Sequence, residues 1–484
     1  MSPRFKPIFL FLALSILAGM TSAGRVRPQR HRVSAALAAA PDEFATLSDQ
    51  FGNVNTVAGI HLATTTNPDG TAINEWTEAS EGALAKSTAL SNPHIAAADA
   101  FGNLYVADKA SHAILKITPD GLIHTFAGTH TAGFNGDGPA PATSLQIFSP
   151  NGIYVFPDGT VYLLDPGNHR IRRVAPDGTM VTVVNDPDPD WYPSGRALWV
   201  RSDQQLIYYT NEFAPAQPGG LAQGATVKQW TPAGGIQVVC PKEMGFVNPG
   251  NIDVNPADGH LYVCDRAEDD ASRTATGLWR IDPGPTTTRT RMTGNVFALY
   301  SVPADGQPAL DSFIEGTRGI AFLPNGAYFI CGHKDGSIWY VDTTGILHRY
   351  LRGSGRKDGY VLPDDTHPPL VFQDYFAQPR AVTIGPDGSL IAVSNDSGYV
   401  FVVKNVAPPV LPRDLRPESF DSSGLRLGWS GLLGHAYIVE RTPSLQPPAW
   451  AAIGATSGKA GLTEFVDSSS GSFGRAFYRL SPPR

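Results

Sequence analysis

The chain has 484 residues, of which 42% are hydrophobic and 17% are charged, and its formal net charge is −7. Its 50 glycines and 41 prolines stay below the ~25–30% share at which disorder becomes the expectation. This composition predicts an all-β protein of short strands and tight turns. It argues against coiled coils, membrane-spanning bundles and nucleic-acid binding.

The N-terminus predicts an export signal. Arg4 and Lys6 precede an apolar run from Ile8 to Met20, and small residues ending at Ala23 form a cleavage site. We predict a signal peptide, because this run is too short to span a bilayer. An uncleaved anchor is the alternative. Cleavage would change the net charge from −7 to −9, since Arg4 and Lys6 are lost, and no polyanion binding is expected.

Three cysteines occur, Cys240, Cys264 and Cys331, which are too few for a disulfide scaffold. Cys264 and Cys331 occupy the same position in two copies of the repeat described next. We therefore expect them to be buried apolar thiols.

One pattern recurs along the chain: a Pro, a short apolar strand, a Gly-containing turn and a second strand. Two further strands follow in the clearest copies, joined by Asp-Gly turns such as Asp120-Gly121. Four antiparallel strands per repeat are typical of a propeller blade. The six copies begin at Pro93, Pro150, Pro193, Pro249, Thr317 and Pro379.

The sixth copy lacks a fourth strand. The segment from Val54 to Gly59 is similar to the fourth strand of the first copy, His124 to Gly128. We predict that this N-terminal strand completes the last blade and closes the ring, which leaves no open end for edge-to-edge association.

The second copy resembles an NHL repeat, with Asn168-His169-Arg170-Ile171 as the defining segment and Ser111-His112-Ala113-Ile114 as a weaker version. The resemblance covers residues 54–404 and implies a six-bladed β-propeller of the NHL type. It implies no single activity, because proteins with one fold can have many different functions.

The predicted turns are long on one face of the ring and short on the other. Long loops concentrated on one face favour a binding role there, although tolerated insertions are the alternative. The long loops are Ile60 to Asn92, Gly128 to Ser149, Phe213 to Ala225, Arg266 to Thr276 and Arg352 to Gln378.

Acidic residues in these loops have two interpretations. Four acidic-Gly steps are expected to be turns whose carboxylates accept backbone N–H bonds; calcium binding is the alternative and would need converging oxygens. Two clusters offer more oxygens, and a solvated acidic loop is the expectation for both. The steps are Glu81-Gly82, Asp137-Gly138, Asp305-Gly306 and Asp358-Gly359. The first cluster is Asp186, Asp188 and Asp190, and the second is Glu268, Asp269 and Asp270.

Asp108, Asp165 and Asp265 end second strands, and the NHL resemblance implies a structural role for them.

The residue after each blade-opening position is expected near the axis on the long-loop face. His94, Asn151, Arg318 and Arg380 are therefore the candidate ligand-binding residues, while the remaining two blades offer Ser194 and Gly250. Two arginines at the channel mouth would suit a carboxylate or sulfate group. Alternatively, each arginine pairs with a loop carboxylate such as Glu315 or Asp374.

Two enzyme families of similar architecture match only in part. Asn151 matches one ligand of the gluconolactonase-like family, but Gly250, Arg318 and Arg380 stand where that family implies an Asp, and no matching Glu is present. The peptide-amidating lyase resemblance is limited to Pro93-His94, and catalytic zinc needs three protein ligands. We assign no catalytic residue, no metal ligand and no cofactor, with calcium as the remaining possibility.

After a Pro-rich linker, short alternating strands resemble a fibronectin type III-like module, with Trp429, Tyr437 and Tyr478 as its core aromatics. The predicted divisions are a signal peptide 1–23, a leader 24–53, a propeller 54–404, a linker 405–413 and a small β-sandwich 414–484.

We expect a monomeric exported protein, secreted, periplasmic or on the cell surface, that binds or scaffolds a peptide or glycan on its long-loop face. One alternative is a metal-dependent hydrolase or lyase of the gluconolactonase-like type. A second is a structural component of the envelope.

Overall fold

The computed structural model describes residues 42–60, 72–188, 191–192, 197–213, 224–266, 276–284, 286–294, 304–334, 336–351, 378–407, 411–412, 414–432, 434–459, 461–473 and 475–484. Several predicted features lie outside these residues: the signal peptide, most of the leader, Asp190, Ser194, residues 268–270, the 358–359 step and Asp374. The described chain is nearly all β. Its short 3-10 helices are Glu78–Ser80, Ala85–Ser87, Ala142–Ser144, Pro166–Asn168, Lys242–Met244, Ala309–Asp311 and Ser470–Ser472.

The first described element is helix α1 (Glu43–Ser48), inside the predicted leader. Asp42 caps the helix by accepting hydrogen bonds from the backbone N–H groups of Phe44 and Ala45. Strand β1 (Phe51–Ala58) follows directly.

Six sheets of four or five strands follow in chain order. Sheet 1 contains β2 (Pro93–Ala98), β3 (Leu104–Asp108), β4 (Ala113–Ile117) and β5 (Ile123–Gly128). Sheet 2 contains β6 (Ala140–Pro141), β7 (Gly152–Val155), β8 (Val161–Asp165), β9 (Arg170–Val174) and β10 (Thr179–Asn185). Sheet 3 contains β11 (Trp191–Tyr192), β12 (Leu198–Val200), β13 (Ile207–Phe213), β14 (Ala225–Thr231) and β15 (Gly235–Cys240).

The second half of the series has the same antiparallel order. Sheet 4 contains β16 (Pro249–Val254), β17 (Leu261–Asp265), β18 (Gly277–Asp282) and β19 (Thr288–Arg291). Sheet 5 contains β20 (Gln307–Pro308), β21 (Thr317–Phe322), β22 (Tyr328–Gly332), β23 (Ile338–Val341) and β24 (Ile346–Leu351). Sheet 6 contains β25 (Pro379–Ile384), β26 (Leu390–Ser394) and β27 (Tyr399–Asn405), and β1 forms its outer strand.

The N-terminal strand pairs as the sequence predicts. β1 lies antiparallel to β27, with Val54 opposite Val403 and Asn55 opposite Val402. The last sheet is thus built from both ends of the repeat region, so the chain cannot open there without breaking a strand pair.

Apolar side chains join the sheets face to face. Successive residues of an inner strand point to opposite faces, and Ile95 packs between sheets 1 and 2 whereas Ala96 packs between sheets 6 and 1. Six such clusters each lie between two neighbouring sheets, and the sixth sheet packs on the first. Both faces of every sheet are therefore buried, which explains the low charge content. Cys240, Cys264 and Cys331 are buried in these clusters and form no disulfide, and the burial of Cys264 and Cys331 is as predicted.

Three segments, those that lead into sheets 1, 2 and 5, each run along the outer strand of the sheet that follows them. The carboxylates of the acidic-Gly steps accept hydrogen bonds there at 2.7 to 2.9 Å, and the glycines have left-handed φ of 74°, 83° and 77°. These steps are turns, as predicted, and they cover sheet edges that would otherwise be open. The acceptor and donor pairs are Glu81 with Thr125, Asp137 with Thr182, and Asp305 with Arg349.

The aspartates that end second strands are structural, as the resemblance implies. Asp108 accepts the N–H of Ser91, and Asp165 accepts the N–H of Phe148. Asp265 accepts two N–H groups of the segment that leads into sheet 4. Burial raises the pKa of Asp108 and of Asp165 to about 6.

The cluster at Asp186 and Asp188 differs from the predicted solvated loop. Asp186 is 3% exposed. The Lys228 ammonium lies between the two carboxylates, 2.8 Å from Asp186 and 2.7 Å from Asp188. Tyr209 also donates to Asp186. A protein cation therefore occupies the place that a calcium ion would take.

The C-terminal part contains two three-stranded sheets around one apolar cluster. Trp429 and Tyr437 are fully buried there in an edge-to-face contact, as predicted, whereas Tyr478 is only partly buried. Ala436 and Ile438 pack against Ala100 of sheet 1. The strands are β28 (Arg416–Asp421), β29 (Gly424–Ser430) and β32 (Leu462–Asp467) in one sheet, and β30 (Ala436–Thr442), β31 (Ala451–Ser457) and β33 (Phe477–Ser481) in the other.

Among the described residues no helix has the length and apolar character needed to cross a membrane.

Candidate functional site

The first strands of five sheets begin around one small pocket that is partly open to solvent. The long links between sheets enter the strands at this end. Five of the six sheets contribute to the lining, which consists of His94, Ile95, Asn151, Gly250, Asn251, Arg318, Arg380 and Ala381.

All four residues that the sequence predicts for the site lie in this lining. His94, Asn151 and Arg318 are only 2% to 3% exposed, and Arg380 is half-buried. Asn251 is a further polar lining residue that the sequence reasoning missed. Its position one residue after Gly250, which carries no side chain, was the available signal.

The imidazole of His94 has a fixed orientation. Its Nδ1 donates a hydrogen bond to the carbonyl oxygen of Asn92 at 3.0 Å, because a carbonyl can only accept. In the neutral ring, Nε2 then carries the lone pair.

A chain of side-chain amides connects Arg380 to His94. The Arg380 guanidinium donates to the Asn395 side-chain oxygen at 3.2 Å, and the Asn395 amide nitrogen donates to the Asn92 side-chain oxygen at 3.3 Å. Asn395 is 2% exposed. These bonds hold the guanidinium through neutral groups, so its positive charge is not cancelled by Asn395.

A buried histidine lies beside the pocket, among charged side chains. His333 is buried, and its Nδ1 donates to the carbonyl of Gln378 at 3.2 Å. Burial lowers the pKa of His333 well below its usual value, and Arg318, Arg380 and Arg266 lower it further. The Asp396 carboxylate also lies 3.7 Å from His333 Nε2, so arginines and a carboxylate share this region.

The side-chain amide of Asn151 has an unmet hydrogen-bonding demand. Both its side-chain oxygen and its side-chain nitrogen are buried, and neither has a hydrogen-bond partner among the described residues. An unsatisfied buried amide group costs roughly 1–3 kcal/mol. A ligand that offers both a donor and an acceptor would recover this free energy.

Strained backbone precedes three of the predicted site residues. Asn92, Ser149 and Gln378 have positive φ values of 89°, 57° and 38°. Each stands two residues before a site residue, with a proline between them. Such conformations cost about 1–3 kcal/mol and concentrate at functional sites.

Gly250 lets two inner strands approach closely. A Cβ atom at this position would overlap the carbonyl oxygen of Arg318 in the neighbouring strand. The side of the pocket that holds Arg318 is therefore shaped by the absence of a side chain in sheet 4.

The sequence matches no protein-family profile and no curated protein. Solved structures resemble the chain in fold, and the neighbours are bacterial β-propeller-like proteins. A protein of unknown function from Bacteroides thetaiotaomicron is 12% identical, with 73% of this chain and 75% of that chain covered and a TM-score of 0.51. An auxiliary nutrient binding protein from Bacteroides ovatus is 14% identical, with 73% and 77% covered and a TM-score of 0.48. A gluconolactonase from Xanthomonas campestris is 16% identical, with 72% and 98% covered and a TM-score of 0.42. At 12% identity, the similarity to the Bacteroides thetaiotaomicron protein indicates the fold alone.

The lining does not suit the divalent cation of a gluconolactonase-like enzyme. Calcium and magnesium prefer carboxylate oxygens, whereas the lining residues offer one imidazole, two amides and two guanidinium groups. The described part of the chain contains no group of three or more His, Cys, Asp or Glu side chains that could hold a metal ion. The two guanidinium groups would repel a cation and attract an anion.

Proposed function

We propose that this chain is an exported six-bladed NHL-type propeller that binds a carboxylate-bearing ligand, on a glycan or a peptide, at its channel mouth. In this proposal each of the six sheets is one blade, and the C-terminal part is a fibronectin type III-like sandwich. Residues 1–23 would direct export, which N-terminal sequencing of protein recovered from cell fractions tests.

The observation that carries the proposal is the shared pocket of Arg318, Arg380 and Asn151. Arg318 and Arg380 are the second residues of neighbouring inner strands, β21 and β25, and both line one small space. A planar carboxylate matches the donor geometry of a guanidinium group.

The opposite side of the pocket would recognise the neutral part of the ligand. Asn151 comes from sheet 2, which does not neighbour the arginine-bearing sheets 5 and 6, whereas Asn251 comes from sheet 4, next to sheet 5. Each amide can both donate and accept, as sugar hydroxyls and peptide groups require. The ligand would therefore carry its charge at one end and uncharged hydrogen-bonding groups at the other.

Calorimetric titration with glucuronate, and with glucose as the uncharged comparison, tests the proposal. Arg318→Gln and Arg380→Gln should each weaken glucuronate binding about tenfold or more, because a charge-assisted hydrogen bond contributes ~1.5–3 kcal/mol. Arg201→Gln is the matched control, because Arg201 pairs with Asp203 beside the β12–β13 turn, away from the pocket. Equal binding by the wild type and both pocket variants would disprove the channel-mouth site.

A further inference from the structure

We infer that a row of aromatic rings beside the pocket binds the successive sugar rings of an acidic oligosaccharide. The row consists of Trp76, His130, His112 and Phe148 and is called the aromatic row below. This inference rests on the proposed function, since it extends the same site along a longer ligand.

The four rings follow one another across the loops of sheet 1. Trp76 and His130 are stacked, with ring centroids 4.7 Å apart and planes 3° apart. His112 and Phe148 meet edge to face at 5.6 Å. The two pairs lie at the same end of sheet 1, because His112 and His130 flank the paired ends of β4 and β5, where Ala113 lies opposite Gly128.

Both ends of the aromatic row are tied to the segments that carry the pocket residues. The Ser149 N–H donates to His112 Nδ1 at 3.2 Å, and Ser149 stands two residues before Asn151. Phe148 and Asn151 are three residues apart, so their Cα atoms are separated by at most about 11 Å. At the other end, the Glu75 N–H donates to the Ser91 hydroxyl at 2.8 Å, three residues before His94.

One ring of the aromatic row is exposed, the other three are half-buried, and the row is held in place. Phe148 is 37% exposed, and it packs so closely on Gly167 that a Cβ atom there would overlap the ring. His112 and His130 have left-handed φ values of 51° and 59°, which cost free energy and persist only where the surroundings enforce them. Rings fixed in advance lose little conformational entropy when a ligand binds.

The surroundings of the aromatic row favour a glycan over a peptide. An extended peptide commonly binds by adding a strand to a sheet edge, but the outer edges of sheets 1 and 2 are covered by the links at Glu81 and Asp137. Burial lowers the pKa of both His112 and His130, so the rings are neutral at pH 7. Neutral flat rings suit the apolar faces of sugar rings, while the charge is bound in the pocket.

Titration with glucuronate and with glucuronan oligomers of two to four units tests the inference. In the wild type, affinity should rise about tenfold or more from monomer to trimer, because each added sugar ring covers exposed aromatic surface. Phe148→Ala should reduce the ratio of trimer to monomer affinity to nearly one. Phe148→Tyr should preserve the ratio, and so should the control Phe420→Ala, at a 66% exposed position of the C-terminal part.

The outcomes separate this inference from the proposed function. If the monomer binds in an arginine-dependent manner but trimer affinity is no higher, only the aromatic row is disproved. A length-dependent gain that survives both Phe148→Ala and Trp76→Ala would also overturn it, as would stronger binding of acidic peptides than of the oligomers. Failure of every glucuronate ligand to bind the wild type would disprove both.

Discussion

The Nδ1 of His94 donates a hydrogen bond to the carbonyl of Asn92, across the intervening proline, at 3.0 Å. Asn92 can present this carbonyl because its backbone is left-handed, with φ of 89°. The same arrangement recurs where His333 donates to Gln378, whose φ is 38°. At both positions a strained backbone fixes the orientation of an imidazole near the pocket.

Substitution of Asn92 should therefore separate backbone strain from side-chain chemistry. Asn92→Val should destabilise the fold by about 1–3 kcal/mol, because a β-branched residue is strongly disfavoured at positive φ. Asn92→Gly accepts the conformation and should cost less. Urea denaturation of both variants measures the difference, and equal losses would show that φ at this position does not matter.

Asn395→Asp should weaken glucuronate binding about tenfold. The new carboxylate would lie beside Arg380, where the Asn395 oxygen is now 3.2 Å from the guanidinium, and would compete with the ligand for its charge. Gln205→Glu makes the same change in net charge at an exposed position of the β12–β13 turn and should leave binding unchanged. Calorimetry decides, and undiminished affinity of Asn395→Asp would show that Arg380 does not contact the carboxylate.

Gly250→Ala should destabilise the protein by about 1–3 kcal/mol, as overpacking in a dense interior does. The added methyl group overlaps the Arg318 backbone, so the arginine must move and glucuronate affinity should fall as well. Gly471→Ala is the control, because a Cβ there meets no atom within 4 Å. Thermal unfolding and calorimetry measure the two effects. An unaffected Gly250→Ala variant would mean that the inner strands of sheets 4 and 5 separate readily.

The repeat pattern predicted many of the strands and their antiparallel pairing, but not the short strands β6, β11 and β20. Alternating apolar residues and Asp-Gly turns predict hairpins locally, and the incomplete last copy predicted the pairing of β1 with β27. Helix α1 was missed because its stability depends on distant contacts. Its Glu43 carboxylate accepts hydrogen bonds from Tyr340 and Thr343, in and beside sheet 5.

The site was predictable in position but not in detail. Because each copy begins with the same residue pattern, the residue after each opening position could be placed near one axis. Asn251 and Asn395 were missed, since their role depends on how neighbouring sheets pack. Asp186 was interpreted as solvated because its partner Lys228 is far away in the sequence.

Asp108→Asn should change the dependence of stability on pH. The pKa of Asp108 is raised by burial to about 6 in the folded protein, against ~3.9 in an unfolded chain. The folded state therefore holds its proton longer, and wild-type stability falls as pH rises from about 4 to 6. Asn cannot ionise, so the variant should gain up to ~3 kcal/mol relative to the wild type between pH 4 and pH 8. Urea denaturation of the wild type and the variant at pH 4 and pH 8 measures the gain. A stability difference between the two proteins that is the same at both pH values would contradict the raised pKa.

Lys228→Met should destabilise the fold by about 3 kcal/mol or more, because it leaves two carboxylates facing each other without the buried cation. Lys228 is 4% exposed and lies within 2.8 Å of both Asp186 and Asp188. The control Lys404→Met removes a mostly exposed ion pair with Asp387, which should cost less than about 1 kcal/mol. Urea denaturation at pH 7 compares the two. Adding Asp186→Asn and Asp188→Asn to Lys228→Met should recover much of the loss, since the repelling charges are then gone. If the triple variant is no more stable than Lys228→Met alone, the lysine contributes through packing and not through its charge.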